Sequence, residues 1–131
     1  MSDVREELGV MLRAVEQAVA RGADAEEVAS LLYEEDAVVL SEGAPRAIRG
    51  LEAFKPHLAE VLKGWGGRPN IKFTPIEPIL TGDTVATCFL NVSCRPSRPE
   101  AVEEHYRLIY SWRKGARGWR VVLEMFSAGT L

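Results

Sequence analysis

The spacing of apolar residues changes once along this chain, and that change limits the architectures open to it. Up to about residue 62 apolar side chains recur at helical spacing, and from Ile71 onward they recur at every second position. Val4, Leu8, Met11, Leu12, Val15 and Val19, with Arg5, Glu6, Arg13, Glu16 and Gln17 on the other side, predict an amphipathic helix to about Arg21, stopped by Gly22. Asp24 followed by Glu27 resembles a capping box, and Val28, Leu31 and Leu32 form the stripe of a second, short helix ending near Tyr33. Ala37 to Leu40 reads as a brief strand, and Ser41 to Gly50, with Gly43 and Pro45, reads as a loop. Leu51, Phe54, Leu58, Val61 and Leu62 predict a third helix, with Pro56 tolerable near its first turns and Gly64, Gly66 and Gly67 ending it.

The remainder predicts strands. Ile71 to Ile79 carries Pro75 and Pro78, which places it at a sheet edge or a bulge. Thr84 to Cys94, Glu103 to Lys114 and Trp119 to Ser127 follow, the last two joined through Gly115-Ala116-Arg117-Gly118 as a hairpin. Helices first and strands later predict one α+β domain over residues 1–131, with helices packed on one face of a mostly antiparallel sheet. A chain of 131 residues with 47% hydrophobic residues is long enough to build a core without disulfides or structural metal. Cys88 and Cys94 on one strand stand roughly 20 Å apart, too far to bridge each other.

Several classes of function are set aside on charge and motif. A net charge of −3 without a basic run lacks the footprint of a nucleic-acid binder. Two His residues, with neither CxxC nor HxxxH, are too few for a zinc site, and no cofactor is expected. The acidic start and the absence of a long uncharged apolar stretch predict a cytoplasmic protein with no membrane partner.

The last hairpin raises a question of sides. With Trp112 and Trp119 as a cross-strand pair, alternation places Tyr106, Leu108, Tyr110, Trp112, Trp119, Val121, Leu123 and Met125 on one face. His105, Arg107, Ile109, Ser111, Arg120, Val122, Glu124 and Phe126 fall on the other. Either the aromatic face is the core beneath the helices, or the helices cover the mixed face as a polar-lined cavity while the aromatic face meets a partner.

Four segments bear on the choice: Tyr33-Glu34-Glu35-Asp36-Ala37-Val38-Val39, Ile48-Arg49-Gly50-Leu51-Glu52-Ala53-Phe54, Gly82-Asp83-Thr84-Val85-Ala86, and Trp112-Arg113-Lys114 with Gly118-Trp119-Arg120-Val121-Val122 and Phe126-Ser127. In this order they resemble the SnoaL-like branch of the nuclear transport factor 2-like superfamily. The resemblance implies a cone: a long helix and two shorter ones against a curved sheet, with a ligand cavity between. It also implies a homodimer joined through the outer sheet face, which agrees with the aromatic face being that interface.

Superfamily members include ketosteroid isomerases, polyketide cyclases, epoxide hydrolases and non-catalytic association domains, so the fold leaves the chemistry open. Where the isomerase pattern has its Asp base this chain has Ser41, and the first helix offers no Tyr near Ala14. The cyclases and epoxide hydrolases place a carboxylate where Glu124 stands, but Asn91 and Phe89 occupy places where the hydrolase pattern wants an Asp and an Arg. The expectation is a small-molecule-binding domain with an apolar cavity. Its acid/base work, if it is an enzyme, falls to Glu124 assisted by His105 and Arg107, with Tyr33, Phe89, Asn91, Ile109, Val122 and Phe126 lining the pocket. Two alternatives stand beside it: a buried Glu124–Arg107 ion pair that only fixes strand register, and a non-catalytic ligand-sensing or homodimeric association module.

Overall fold

The computed structural model describes residues 3–131, so Met1 and Ser2 lie outside the described residues. Helix α1 spans Val4–Ala20, and the Asp3 carboxylate caps it by accepting the Arg5 N–H at 2.6 Å. Helix α2 spans Ala25–Leu32, capped in the same way by Asp24, which accepts the Glu27 N–H at 2.9 Å. The chain then extends at once: Tyr33 has φ −108° and ψ 148°, so strand β1 is Tyr33–Ser41 and begins four residues before the predicted strand. A two-residue strand β2, Ile48–Arg49, lies within the predicted loop and pairs with Val39 and Val38.

Helix α3 covers Leu51–Gly64, followed by β3 (Asn70–Thr81), β4 (Val85–Arg95), β5 (Glu104–Gly115) and β6 (Gly118–Ala128). The six strands form one sheet in the order β2-β1-β6-β5-β4-β3, with β1 and β6 parallel and the other neighbours antiparallel. The three helices pack on one face of it. This is an α+β cone of helices on a mostly antiparallel sheet, as the spacing of apolar residues predicts. Among the described residues no helix is long and apolar enough to cross a membrane.

Leu8, Leu12, Val15, Val19, Leu32 and Phe54 descend from the helices onto Leu90, Val92, Leu108, Tyr110, Trp112, Trp119 and Val121 of the sheet, all buried. The aromatic face is therefore the core, which corrects its assignment as a partner's interface. Trp112 is fully enclosed, and Trp119 donates its indole N–H to Glu7 on α1 at 2.7 Å. A side chain of that size removed from water contributes about 25 cal/mol per Å² of apolar surface, which favours this face inward over the half-polar alternative.

The β5–β6 ladder carries the second correction. Gly115 pairs with Gly118, Lys114 with Trp119 and Trp112 with Val121, after which the register shifts and Ser111 pairs with Leu123 and Tyr110 with Glu124. Val122 is the extra residue of a β-bulge. Trp119 thus faces Lys114 rather than Trp112, a two-residue change that preserves sidedness, whereas the bulge reverses it for everything after Val122. Leu123 and Met125 turn out to the open face at 42% and 48% exposed, and Glu124 turns in at 5%.

The end of α3 is fixed against the β4–β5 connection. Gly66 has φ +87°, and an added Cβ would lie 2.6 Å from the Ser97 hydroxyl, so only glycine fits the approach. Ser97 donates its backbone N–H to the Trp65 carbonyl at 2.8 Å, which holds Trp65 over the sheet.

Candidate functional site: a carboxyl and two tyrosines at the wall of an apolar cavity

Between the helices and the inner face of the sheet lies a cavity with about 80 Å³ of room for the centres of water-sized molecules. That is several times the ~10–15 Å³ that one water needs. Val15 and Val19 of α1, Val28 and Leu32 of α2, and Phe54, Leu58, Val61 and Leu62 of α3 form its helical wall. Its sheet wall is Ile71, Phe73, Val92, Leu108, Tyr110, Glu124 and Phe126. Tyr33, Ser41, His57 and Trp65 complete the lining. Ser41, His57, Leu58, Val61, Trp65 and Phe126 are half-buried and make a rim, while Glu124, Tyr33 and Tyr110 are buried.

Each polar group is placed by a local feature of the chain. Tyr33 is the first extended residue after α2, and its hydroxyl donates to Glu124 Oε1. The bulge at Val122 sets Glu124 directly across the ladder from Tyr110, a second phenol buried beside the carboxyl. Phe54, one turn into α3, stands 4.6 Å from the Tyr33 ring, and His57, three residues further on, stands 5.9 Å from Phe54. Three hydrogen-bonding groups from three strands therefore meet in a setting that is otherwise hydrocarbon.

Burial dominates the electrostatics of this group. Desolvation pushes the Glu124 carboxyl up to about 7, although hydrogen bonds from Tyr33 and Tyr110 pull the other way. Both phenols are driven well above their ordinary value, by burial first and then by the neighbouring carboxyl. Among the described residues no cation pairs with Glu124. A carboxyl poised near neutrality beside two protonated phenols can take up or release a proton within the cavity.

Of the residues singled out from sequence, Glu124, Tyr33 and Phe126 come together at the cavity. His105, Arg107, Phe89, Asn91 and Ile109 point to the opposite face, because β4 and β5 alternate without interruption and their inner positions belong to Leu90, Val92, Tyr106, Leu108 and Tyr110. Val122 sits at the bulge and does not line the cavity. The Glu124–Arg107 ion pair is absent: Arg107 donates its Nε–H to Ser127 Oγ at 2.8 Å on the outer face. Asn91 accepts the Leu131 N–H at 2.8 Å there, and His105 lends its carbonyl to Gly129. Cys88 and Cys94 are free and buried on the inner face of β4.

Tyr110 and His57 are site residues that sequence reasoning passed over. Tyr110 was legible as an inward residue once the aromatic face is taken as core. His57 falls on the apolar stripe of its helix, between Phe54 and Val61 at spacings of three and four.

No family model matches this chain, and no characterised protein matches it in sequence. Solved structures do match. A protein of unknown function with a cystatin-like fold from Nostoc punctiforme superposes with a TM-score of 0.77 at 13% identity, over 95% of this chain and 90% of its own. A nuclear transport factor 2-like superfamily protein from Salmonella enterica matches at 0.73 with 15% identity, over 98% and 92% of the two chains. A ketosteroid isomerase-like protein from Erwinia carotovora matches at 0.65 with 20% identity, over 94% of each. Its helices and six-stranded sheet superpose on these proteins, so the chain has the nuclear transport factor 2-like, cystatin-like fold.

Proposed function

We propose that this protein binds a small, largely apolar molecule in the helix–sheet cavity, and that Glu124 is the acid/base group of an isomerase, cyclase or hydrolase type reaction on it. The observation that carries the reading is the Glu124 carboxyl itself: 5% exposed, hydrogen-bonded by Tyr33 and facing a cavity lined by hydrocarbon. Burying such a group without a counter-charge costs stability, and a fold bears that cost most readily where the group has work to do. In this reading Tyr33 and Tyr110 orient the carboxyl, and the apolar lining excludes water from the reacting group. The SnoaL-like assignment belongs to the same reading and is supported by the signpost segments and the shared fold.

The experiment is ligand screening by NMR on the wild type and on Leu58→Trp, which fills the rim from α3, followed by turnover assays on whatever binds. Perturbation of Val15 and Leu108 methyls by ligands in the wild type, lost in Leu58→Trp, supports the cavity as the binding site. A turnover loss of roughly a hundredfold in Glu124→Gln supports the acid/base role. Ligands that bind elsewhere, or turnover indifferent to Glu124, refute the corresponding half.

A second reading, homodimeric association, has its own observation. Leu40, Met125, Ile109, Phe89 and Ile76 are successive cross-strand partners and make an apolar row across β1, β6, β5, β4 and β3 on the face opposite the helices. Leu40 and Met125 are 38% and 48% exposed. We propose that this row, rather than the aromatic one, is where two copies meet. Met125→Lys should then convert a dimer into a monomer in sedimentation runs without lowering the melting temperature, and a wild type already monomeric at high concentration rules the interface out.

A further inference from the structure

We infer that the molecule this cavity is built to hold is a hydrophobic ammonium, with its cationic head against Glu124 and its apolar body among the aromatic side chains. The inference rests on the reading of the cavity as a ligand site and adds the charge and hydrogen-bonding pattern of the ligand.

The first argument is a count of protons. A phenol owns one, and Tyr33 donates its own to Glu124 Oε1. With that proton spent on an ionised Glu124, the Tyr33 oxygen and the carboxylate bring only lone pairs to this end of the cavity. The pair is complementary to a donor with several hydrogens.

The second argument is charge. No Lys or Arg lines the cavity, and Glu124 has no ion-pair partner among the described residues. Arg107, whose cross-strand partner Ser127 lies three residues beyond Glu124, is turned to the other face of the sheet. A ligand cation supplies the counter-charge the fold withholds, whereas a ligand carboxylate or phosphate sets a second anion beside the first. Net negative charge over the whole chain points the same way.

The third argument is the walls. The ring centroids of Tyr33 and Phe54 lie 4.6 Å apart and those of Phe73 and Tyr110 lie 6.3 Å apart, and all four rings line the cavity that holds Glu124. Aromatic faces attract desolvated cations and accept hydrocarbon equally well.

The groups that bear on Glu124 when pH is varied are Tyr33 from β1, Tyr110 from β5, His57 from α3 and, behind Tyr110, Cys88 from β4; the lining residues of α1 and α2 are all aliphatic. Calorimetric titration of the intact chain with four matched probes tests the inference: 2-phenylethylamine, 2-phenylethanol, phenylacetate and acetophenone. The amine is expected to bind most tightly at pH 8, and about tenfold more weakly at pH 6 because Glu124 titrates near 7. Glu124→Gln should lose at least about tenfold for the amine at pH 8 and abolish its pH dependence while changing the alcohol far less, and His57→Gln should keep the pH dependence. Acetophenone or phenylacetate binding the cavity more tightly than the amine at pH 8 overturns the inference and leaves the ligand-site reading standing. So does an amine affinity indifferent to Glu124→Gln, or a pH dependence that moves with His57. Failure of all four probes to perturb the Val15 and Leu108 methyls sinks both together.

Discussion

The β4–β5 and β5–β6 ladders share a strand and differ in one residue. Along β4–β5 ten successive pairs run from Val85 with Arg113 to Cys94 with Glu104 without interruption, so every side chain keeps the face that alternation gives it. Along β5–β6 the register breaks at Val122, and the residues after it change faces. The regular ladder supplies wall: Leu90, Val92, Leu108 and Tyr110. The broken ladder supplies the carboxyl. In this molecule the core is built by alternation and the site by its violation, because an unbroken β6 opposite this β5 would present Leu123 and Met125 to the helices and Glu124 to water.

Inserting one alanine after Leu123 tests that contrast most severely. The insertion shifts the rest of β6 by one residue against β5, turns Glu124 and Phe126 to the outer face, drives Met125 into the space they fill, and is expected to abolish the cooperative unfolding transition in urea. Deleting Val122 instead keeps the Trp112–Val121 and Tyr110–Glu124 pairs, and with them the sides of both strands. A soluble insertion variant with wild-type melting would show that the register of β6 is incidental. Next in size is Trp119→Glu on the near side of the bulge. Trp119 is 3% exposed and bonded to Glu7, so the substitution should cost about 4 kcal/mol or more by chemical denaturation. Were this residue on an interface, the same change would alter assembly and spare the fold.

The third test concerns the residue the bulge delivers. Glu124 stands at about 7 in the folded chain against an ordinary 4.5, so between those values the folded state holds a proton that the unfolded state has released. Its contribution is therefore most favourable below about pH 4.5, declines as pH rises, and by pH 8 has cost about 3 kcal/mol. Glu124→Gln should remove this decline, so the difference in unfolding free energy between the two proteins grows from pH 4.5 to 7.5 in the variant's favour. A constant difference would mean that the carboxyl is solvated. The smallest effect is expected at Arg107, on the regular ladder's outer side and bonded to Ser127: Arg107→Ala should leave melting temperature, ligand binding and the pH profile of the site as they are. Loss of ligand binding in that variant would return Arg107 to the cavity.

These contrasts also explain what could be read without a structure. The helices, the Asp24 cap, the order of elements and the two-proline edge strand follow from spacing and capping chemistry that act over a few residues, and so were legible. Glu124 faces the cavity, yet for a different reason than strict alternation from a Trp112–Trp119 pair gives: the inner face of the hairpin is the aromatic one, and the bulge reverses the sidedness once more. The two departures cancel at Glu124 and Phe126, which lie beyond Val122. They do not cancel at His105, Arg107, Phe89, Asn91 and Ile109, which lie on strands without a bulge, and these fall on the outer face. The run Val121-Val122-Leu123 was a signal, since three consecutive aliphatic residues cannot satisfy a strict alternation. What it could not tell is where the extra residue sits, because that is decided by the pairing of Glu124 with Tyr110 across the sheet. The early start of β1 at Tyr33, and with it the phenol donor to Glu124, likewise depends on a tertiary contact, its pairing with Val121.

The tie between α1 and β3 has a consequence for how this protein behaves when crowded. β3 is a terminal strand of the sheet, and its outward backbone groups invite a passing chain to add itself on. Pro75 and Pro78 have no N–H to offer, and the Phe73 N–H is already given to Glu16 of α1 at 2.8 Å. Arg5 and Glu77 pair across the same border at 3.0 Å. A would-be strand finds missing donors, an occupied donor and fixed charges along this border, so the chain carries its own guard against growing into ordered, sheet-extending aggregates. Glu16 is a member of that guard although it does not itself line the cavity.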